Sequence, residues 1–298
     1  MSSRISGNRN ILCESKKFPT FVVYEQSTQK ADIMNTFRSK NTKPSETKKN
    51  ASSPKSKFSL KNNALLKQKI KRWVLKITLY FLAISIGMVV LYKFVPVPIT
   101  STMISRKVSA VFNGENSEIY YDWTSYENMS KEAPLAVVAA EDQLFPEHFG
   151  FDFEAMGNAF NRNQKGRKLR GASTLSQQVA KNVFLWQSRS YIRKIFEVYF
   201  TFLIEVIWGK ERILEVYLNV AEMGSMTFGV EEASKRYFGK SAKNINREQA
   251  ARIASVLPSP NKWSVAKPGP YVRRRAAQIA RQMRALGGVA YIKDLRSF

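Results

Sequence analysis

Apolar residues fall into three regimes along the chain. Residues 1 to about 66 are rich in Ser, Thr, Asn and Lys, as in Ser39-Lys40-Asn41-Thr42-Lys43-Pro44. Their apolar positions follow neither a helical nor a strand period. Such a stretch buries too little apolar surface to offset its ordering entropy, and 1–70 reads as a disordered tail. The run Phe21-Val22-Val23-Tyr24 is open to reading as a local strand or a docking motif. From Ile77 to Tyr92 no residue is charged, and the apolar character reaches from Trp73 to Val97. About 20 apolar residues span a bilayer, so 73–97 is predicted to be one transmembrane helix. Lys76 and Lys93 can snorkel to the interfaces, Trp73, Tyr80 and Tyr92 suit interfacial positions, and Pro96 and Pro98 stop the helix. The segment lies too far from the start for an ordinary cleaved signal peptide. A buried core helix is the alternative, and the length and the lack of a polar face count against it.

The third regime, from about 99 to 298, carries helical spacing. Helices are predicted at Ala133–Phe145, Ser173–Phe184, Tyr191–Trp208, Lys210–Met223, Gly229–Tyr237, Arg247–Leu257 and Pro270–Leu286. Strand alternation is confined to Val108–Phe112 and Ile119–Trp123. The fold class is therefore mainly α, with a folded domain at about 105–290 and no internal repeat. The helix at 191–208 is apolar on more than one face. Arg193, Lys194, Glu197 and Glu205 make a second span costly, so a buried or partly membrane-dipping helix is expected.

Charge adds a direction. Lys+Arg number 48 against 23 Asp+Glu, a net +25. Such a chain meets something anionic: nucleic acid, a membrane surface or a phosphorylated substrate. Lys67, Lys69, Lys71 and Arg72 precede the apolar segment, which puts that side in the cytoplasm and the folded domain outside. The basic tail is a solvated tether or a surface for anionic headgroups. Much of the charge lies in that tail and no nucleic-acid motif accompanies it, so no nucleic-acid partner is expected. One cysteine, Cys13, and one histidine, His148, exclude an intrachain disulfide and Cys- or His-rich metal sites.

Four segments carry candidate chemistry. Glu141-Asp142-Gln143-Leu144-Phe145-Pro146-Glu147-His148-Phe149-Gly150 places two acids after an apolar helix, with Glu141 and Phe145 four apart on one face. A carboxylate beside a hydrophobic wall can have a raised pKa and accept a proton; the alternative is two solvated acids at a helix end. In the second segment Ser173 or Thr174 is a natural N-cap. Thr174, Gln178, Lys181 and Asn182 then share one polar face, and the helix N-terminus after Gly171 offers free N–H groups that suit a phosphate. An ordinary capped amphipathic helix is the alternative. In the third, Arg193 and Glu197 form an i, i+4 pair, or Arg193 and Lys194 face phosphates with Glu197 buried beside them. The fourth, Lys210 to Asn219, is by itself only a good amphipathic helix. Between the first two, Asn161 to Arg170 reads as a surface loop or a mobile flap over an anionic substrate.

Together and in order, E-D-x-x-F-x-x-H-x-G, G-x-S-T-x-x-Q-Q-x-x-K-N, R-K-x-x-E and I-L-E-x-Y-L-N resemble the glycosyltransferase family 51 domain of bacterial peptidoglycan synthases, over about 110–285. Phe184-Leu185-Trp186, Asn219-Val220-Ala221-Glu222 and Val256-Leu257-Pro258-Ser259-Pro260-Asn261-Lys262-Trp263-Ser264 resemble its monofunctional members. Ala172 stands where a second Gly is frequent, and Met223 where an aromatic is usual. The resemblance implies a lysozyme-like domain after the membrane helix, without the transpeptidase domain of the bifunctional relatives. It implies polymerisation of lipid II into β-1,4 glycan strands with inversion and release of undecaprenyl diphosphate, at the periplasmic face of the bacterial inner membrane. Glu141 would be the general base. Glu197 would be the second catalytic carboxylate, orienting cations or a metal. Asp142, Phe145, His148, Ser173, Thr174, Gln178, Lys181, Asn182, Arg193 and Lys194 would serve the substrate site, with Lys181 and Arg193 answering the diphosphate. No protein metal site and no obligatory cofactor are implied; a divalent cation, Mg or Mn, is an option at the diphosphate. Partners would be lipid II, the growing glycan strand, the membrane and the proteins of cell-wall synthesis or division. A lytic muramidase and a non-enzymatic membrane scaffold are the rival classes; the phosphate-binding face around Lys181 argues against the muramidase.

Overall fold

The computed structural model describes residues 57–164, 173–188, 190–293 and 295. The readings made for Phe21–Tyr24, Gly171 and the basic residues 165–170 lie outside them. The chain divides into two units, Met1–Leu60 and Lys61–Phe298, and the second holds the folded domain.

Helix α1, Lys57–Phe94, is 38 residues long. It begins well before the apolar segment, so residues 57–70 are helical where a disordered tail was expected. Within its stretch Leu66–Phe94 an 18-residue window reaches a mean hydropathy of 2.3; the stretch is almost wholly exposed, and it is long and apolar enough to cross a membrane. It ends ahead of Pro96, as a residue preceding proline is pushed out of helical geometry.

Helix α2 spans Ser101–Phe112, capped by the Thr100 hydroxyl. Val108–Phe112 is therefore helical, not a strand: its alternation is the end of an amphipathic helix too short to declare its period. Helix α3, Glu132–Glu141, buries every residue from Ala133 to Ala139. A helix apolar all round belongs in the middle of a domain, and α3 packs on α9 (Arg247–Ala254) and α10 (Pro270–Ala285). It stops at Glu141 rather than Phe145, because Asp142 leaves helical geometry with φ −158° and ψ 80°. Helix α4, Phe153–Gln164, takes in Asn161–Gln164, which the sequence assigned to a loop.

Helix α5, Leu175–Phe184, lies against α6, Tyr191–Ile207, and α7, Lys210–Val220. Helix α8, Val230–Phe238, ends on a left-handed Gly239. A small sheet joins β1 (Tyr120–Tyr121), β2 (Glu222–Gly224) and β3 (Thr227–Phe228) in the order β1-β3-β2. β1 runs parallel to β3, and β2–β3 is an antiparallel hairpin turning through Met226 at φ 56°.

The upper part of α1 is packed on α6 and α7. Phe81 meets Phe196 and Tyr199, Ser85 Oγ lies 2.8 Å from the Tyr199 hydroxyl, and the Trp208 indole N–H donates to Val89 O. Arg212 donates to the carbonyls of Tyr92 and Val95, which the end of α1 leaves without helical partners. Beside α1, α6 presents Tyr191, Ile195, Val198, Phe202 and Val206 as an exposed apolar stripe, while Glu197 and Glu205 turn inward and are buried. The charges that made a second span costly are thus answered within the protein.

Candidate active site

The site forms where the end of α3 meets the side of α5. Glu141 is the last residue of α3, half-buried, and Gln178 Nε2 donates to its Oε2 at 3.2 Å. Gln178 is itself held: the hydroxyl of Tyr217, buried on α7, donates to its Oε1 at 3.3 Å. Burial pushes the Glu141 carboxyl above its ordinary range; the Gln178 hydrogen bond and the nearby cations Arg275 and Lys181 oppose that shift. Burial likewise pushes the Tyr217 phenol up, so it remains a donor.

One turn along α5 from Gln178, α5 and α6 bring cations together. Lys181 is partly buried, and among the described residues its ammonium makes no hydrogen bond or ion pair. Burial lowers its pKa, the Glu197 carboxylate raises it, and Arg193 and Lys194 lower it further. Glu197 is buried and ion-paired to Lys194 at Oε1 and to Arg193 at 3.7 Å through Oε2. Arg193 Nε is buried without a partner among the described residues. Two cations thus pair with one carboxylate and a third, Lys181, feels its charge, an excess of positive charge with unfilled donors.

Below Glu141 an open cleft of about 500 Å³ runs between the end of α3, the start of α4 and one face of α10. Glu141, Asp142, Asp152, Asn158, Ser173 and Arg275 line it.

Several residues expected at the substrate are also held by partners within the protein. Thr174 caps α5: its hydroxyl accepts from Gln177 N–H and donates to Gly150 O at 2.7 Å, and the residue is buried. The free N–H groups expected at that helix start are also taken. Leu175 N–H donates to Asp142 Oδ2 at 2.9 Å, and Thr174 N–H donates to Gln177 Oε1. The protein supplies its own anion at the helix N-terminus, where the dipole favours one. Asp142 also holds His148 Nε2 at 2.9 Å. Phe145 shares no helix face with Glu141; it is fully buried, edge-on to His148 and under the Lys210 ammonium at 4.5 Å. Asn182 faces α2, where Thr102 Oγ1 donates to its Oδ1 at 3.3 Å and Ser101 Oγ to its carbonyl. Periodicity put Thr174 and Asn182 on one face with Gln178 and Lys181. That face is wide, and different neighbours claim its two ends.

Tyr217 and Lys210 are among the residues that escaped the sequence reading. Tyr217 sits in the fourth segment, where the apolar pattern hides a phenol as a core residue. Lys210, nearly inaccessible, pairs with Glu205 at 2.9 Å and donates to His148 O. Ser176 Oγ completes this knot by donating to Glu205. Gly150, at φ +74°, passes so close that a Cβ there would stand 2.8 Å from Thr201 Cγ2.

The site thus joins a half-buried glutamate and a polar cleft to a cluster of cations one turn further along α5. The transglycosylase family model matches residues 107–284, and the chain belongs to that family. It is 52% identical over 217 residues to the biosynthetic peptidoglycan transglycosylase of Pseudomonas entomophila (strain L48), covering 73% of this chain and 92% of that protein. The Pseudomonas aeruginosa protein of the same name is 50% identical over 224 residues, 75% of this chain and 97% of its own length. The chain is accordingly a peptidoglycan transglycosylase, and the mainly α, lysozyme-like domain expected from its four motifs is the domain found.

Proposed function

We propose that the enzyme polymerises lipid II, with Glu141 as general base and the Lys181, Arg193 and Lys194 cluster as the seat of the diphosphate. The observation that carries this reading is Glu141 in the wall of the cleft, hydrogen-bonded to Gln178 one helical turn before Lys181. In the reaction the 4-hydroxyl of an acceptor N-acetylglucosamine attacks the anomeric carbon of the donor N-acetylmuramic acid. The hydroxyl proton passes to a Glu141 carboxylate oxygen, the C–O bond to the diphosphate breaks, and undecaprenyl diphosphate leaves with the electron pair. Attack opposite the leaving group inverts the anomeric centre and gives a β-1,4 bond.

The base needs an ionised carboxylate of raised basicity. Burial supplies the basicity, and Gln178 and the cations keep enough of the ionised form. The diphosphate is already a good leaving group and needs charge stabilisation more than a proton. Glu197, ion-paired to both, orients Arg193 and Lys194 as a positioning residue. Thr174, Asp142 and His148 hold the loop behind Glu141. Glu197 is engaged by two cations and no group of three metal-ligating side chains occurs among the described residues, so an optional Mg or Mn would be held chiefly by the diphosphate oxygens. The three cations supply the charge the reaction needs.

Lipid-linked substrates place the reaction at a membrane. The reading has α1 as a single-pass anchor in the inner membrane, with a cytoplasmic N-terminus and a periplasmic catalytic domain. The basic residues before the apolar segment support that orientation, and the exposed stripe of α6 suits lipid contact. Membrane-bound proteins of cell-wall synthesis or division are the partners this placement allows.

The test is lipid II polymerisation by Glu141→Gln, with and without divalent cation. The variant is expected to fold and to lose at least ~10²-fold in rate. Near wild-type strand growth would remove Glu141 from the base role. Shortening of polymeric glycan by the wild type, without growth on lipid II, would replace polymerisation by lysis.

A further inference from the structure

We propose that Arg275, on α10 and outside all four motifs, is a positioning residue for the transfer reaction: it pins the last turn of α3 and so fixes where Glu141 stands. The proposal rests on the reading of Glu141 as the base.

The last carbonyls of a helix lack intrahelical partners. At the end of α3 the last backbone bond is made at Val138, and the next two carbonyls take side-chain donors. Val138 O accepts from Asp142 N–H, and Ala139 O from the Gln143 side chain at 3.1 Å. Ala140 O, immediately before Glu141, accepts from Arg275 Nη2 at 2.9 Å. The guanidinium is braced from its own helix, because Nη1 donates to Gln278 Oε1 at 3.2 Å. Arg273 and Arg274 are exposed, whereas Arg275 is partly buried and lines the cleft with Glu141. A cation at a helix C-terminus also meets the negative end of the helix dipole.

The guanidinium does two things at once. Its fork joins α10 to the residue before the base, so the base cannot drift without breaking that bond. Its charge lies close enough to Glu141 to favour the carboxylate. The other groups around Glu141 come from every packed element. Lys181 and Gln178 stand on α5, Tyr217 on α7, and Asp142 follows Glu141 directly. Asp152 lies across the cleft. From α9, Arg247 is bound to Glu132 at the far end of α3. From the turn at Gly288–Ile292, Tyr291 donates to Gln143 O. Arg275 is the cation that both touches the backbone beside Glu141 and faces the cleft.

Three variants of the full-length protein separate the two roles: Arg275→Met, Arg275→Gln and Arg275→Lys. Steady-state polymerisation of lipid II is followed across pH. Loss of the cation makes Glu141 easier to protonate. The acid limb of the profile should therefore move to higher pH in Arg275→Met and Arg275→Gln, with a deficit at least ~3-fold larger at the acid end than on the plateau. Arg275→Lys keeps the charge but not the fork, so its limb should stay near wild type while its plateau falls. An unmoved limb in both neutral variants, in protein that melts cooperatively, overturns the proposal. If Arg275→Met does not fold, Arg275→Gln, which can still donate to Ala140 O, decides. A Glu141→Gln enzyme that polymerises normally overturns the base reading instead, whatever Arg275 does.

Discussion

The Tyr217 hydroxyl donates to Gln178 Oε1, and that one hydrogen bond decides which end of the Gln178 amide faces Glu141. With its oxygen held by Tyr217, Gln178 has only its NH2 to offer the carboxylate. A donor there favours the ionised form that a base requires.

Removing the phenolic hydroxyl should free the amide. Tyr217→Phe is expected to lower lipid II polymerisation by between ~5- and ~50-fold, as misplacement of a reacting group does. The unsatisfied Gln178 oxygen should cost about 1–3 kcal/mol in stability. Kinetics and urea unfolding on the same preparation check both. Wild-type rates with the stability loss present would reduce Tyr217 to a core residue.

Glu141 should work against the fold that holds it. Burial raises its pKa above the ordinary 4.5 in the folded state. Between the ordinary and the raised value the folded state keeps a proton that the unfolded chain has lost. Stability from this group is therefore complete below the ordinary value and is lost as pH rises through the raised one. Glu141→Gln cannot ionise. It should melt higher than wild type at about pH 8, and the gap should close toward about pH 4. Thermal melts across pH measure it; a wild type as stable as the variant at the upper pH would contradict the sign.

The buried pair Glu205–Lys210 should behave as a unit. Lys210 reaches His148 O as well as Glu205, and Ser176 ties the same carboxylate to α5. Lys210→Met leaves a buried carboxylate unpaired and should cost about 3–5 kcal/mol. The double variant Glu205→Gln with Lys210→Met should cost less than the sum of the two single changes. Additive losses in a double-mutant cycle would mean the pair is not coupled.

The long apolar helix, the run of helices from α5 to α10 and the four motifs were legible because each rests on local order. A long uncharged stretch, a repeated 3.6-residue spacing and a cap residue all act within a few turns of the chain. Their ends were less so: α3 stops four residues early, since Asp142 is drawn out of the helix to Leu175 N–H, 33 positions away. Val108–Phe112 read as a strand because five residues do not separate a period of two from one of 3.6.

What the sequence determined by itself is which residue types are present and in what order: a glutamate after an apolar helix, a polar helix with a lysine, a basic pair before a glutamate. Only the tertiary structure decided which of them meet. It set Gln178 against Glu141 and Lys181 near Glu197, and turned Asn182 toward α2. It also gave the helix N-terminus expected to hold a phosphate to Asp142, and it brought Tyr217 and Arg275 to the base from helices whose patterns announce only a core. The reason is physical. Periodicity fixes the face a side chain occupies, but a hydrogen bond or an ion pair forms only where the packing of another helix brings a partner within about 3 Å.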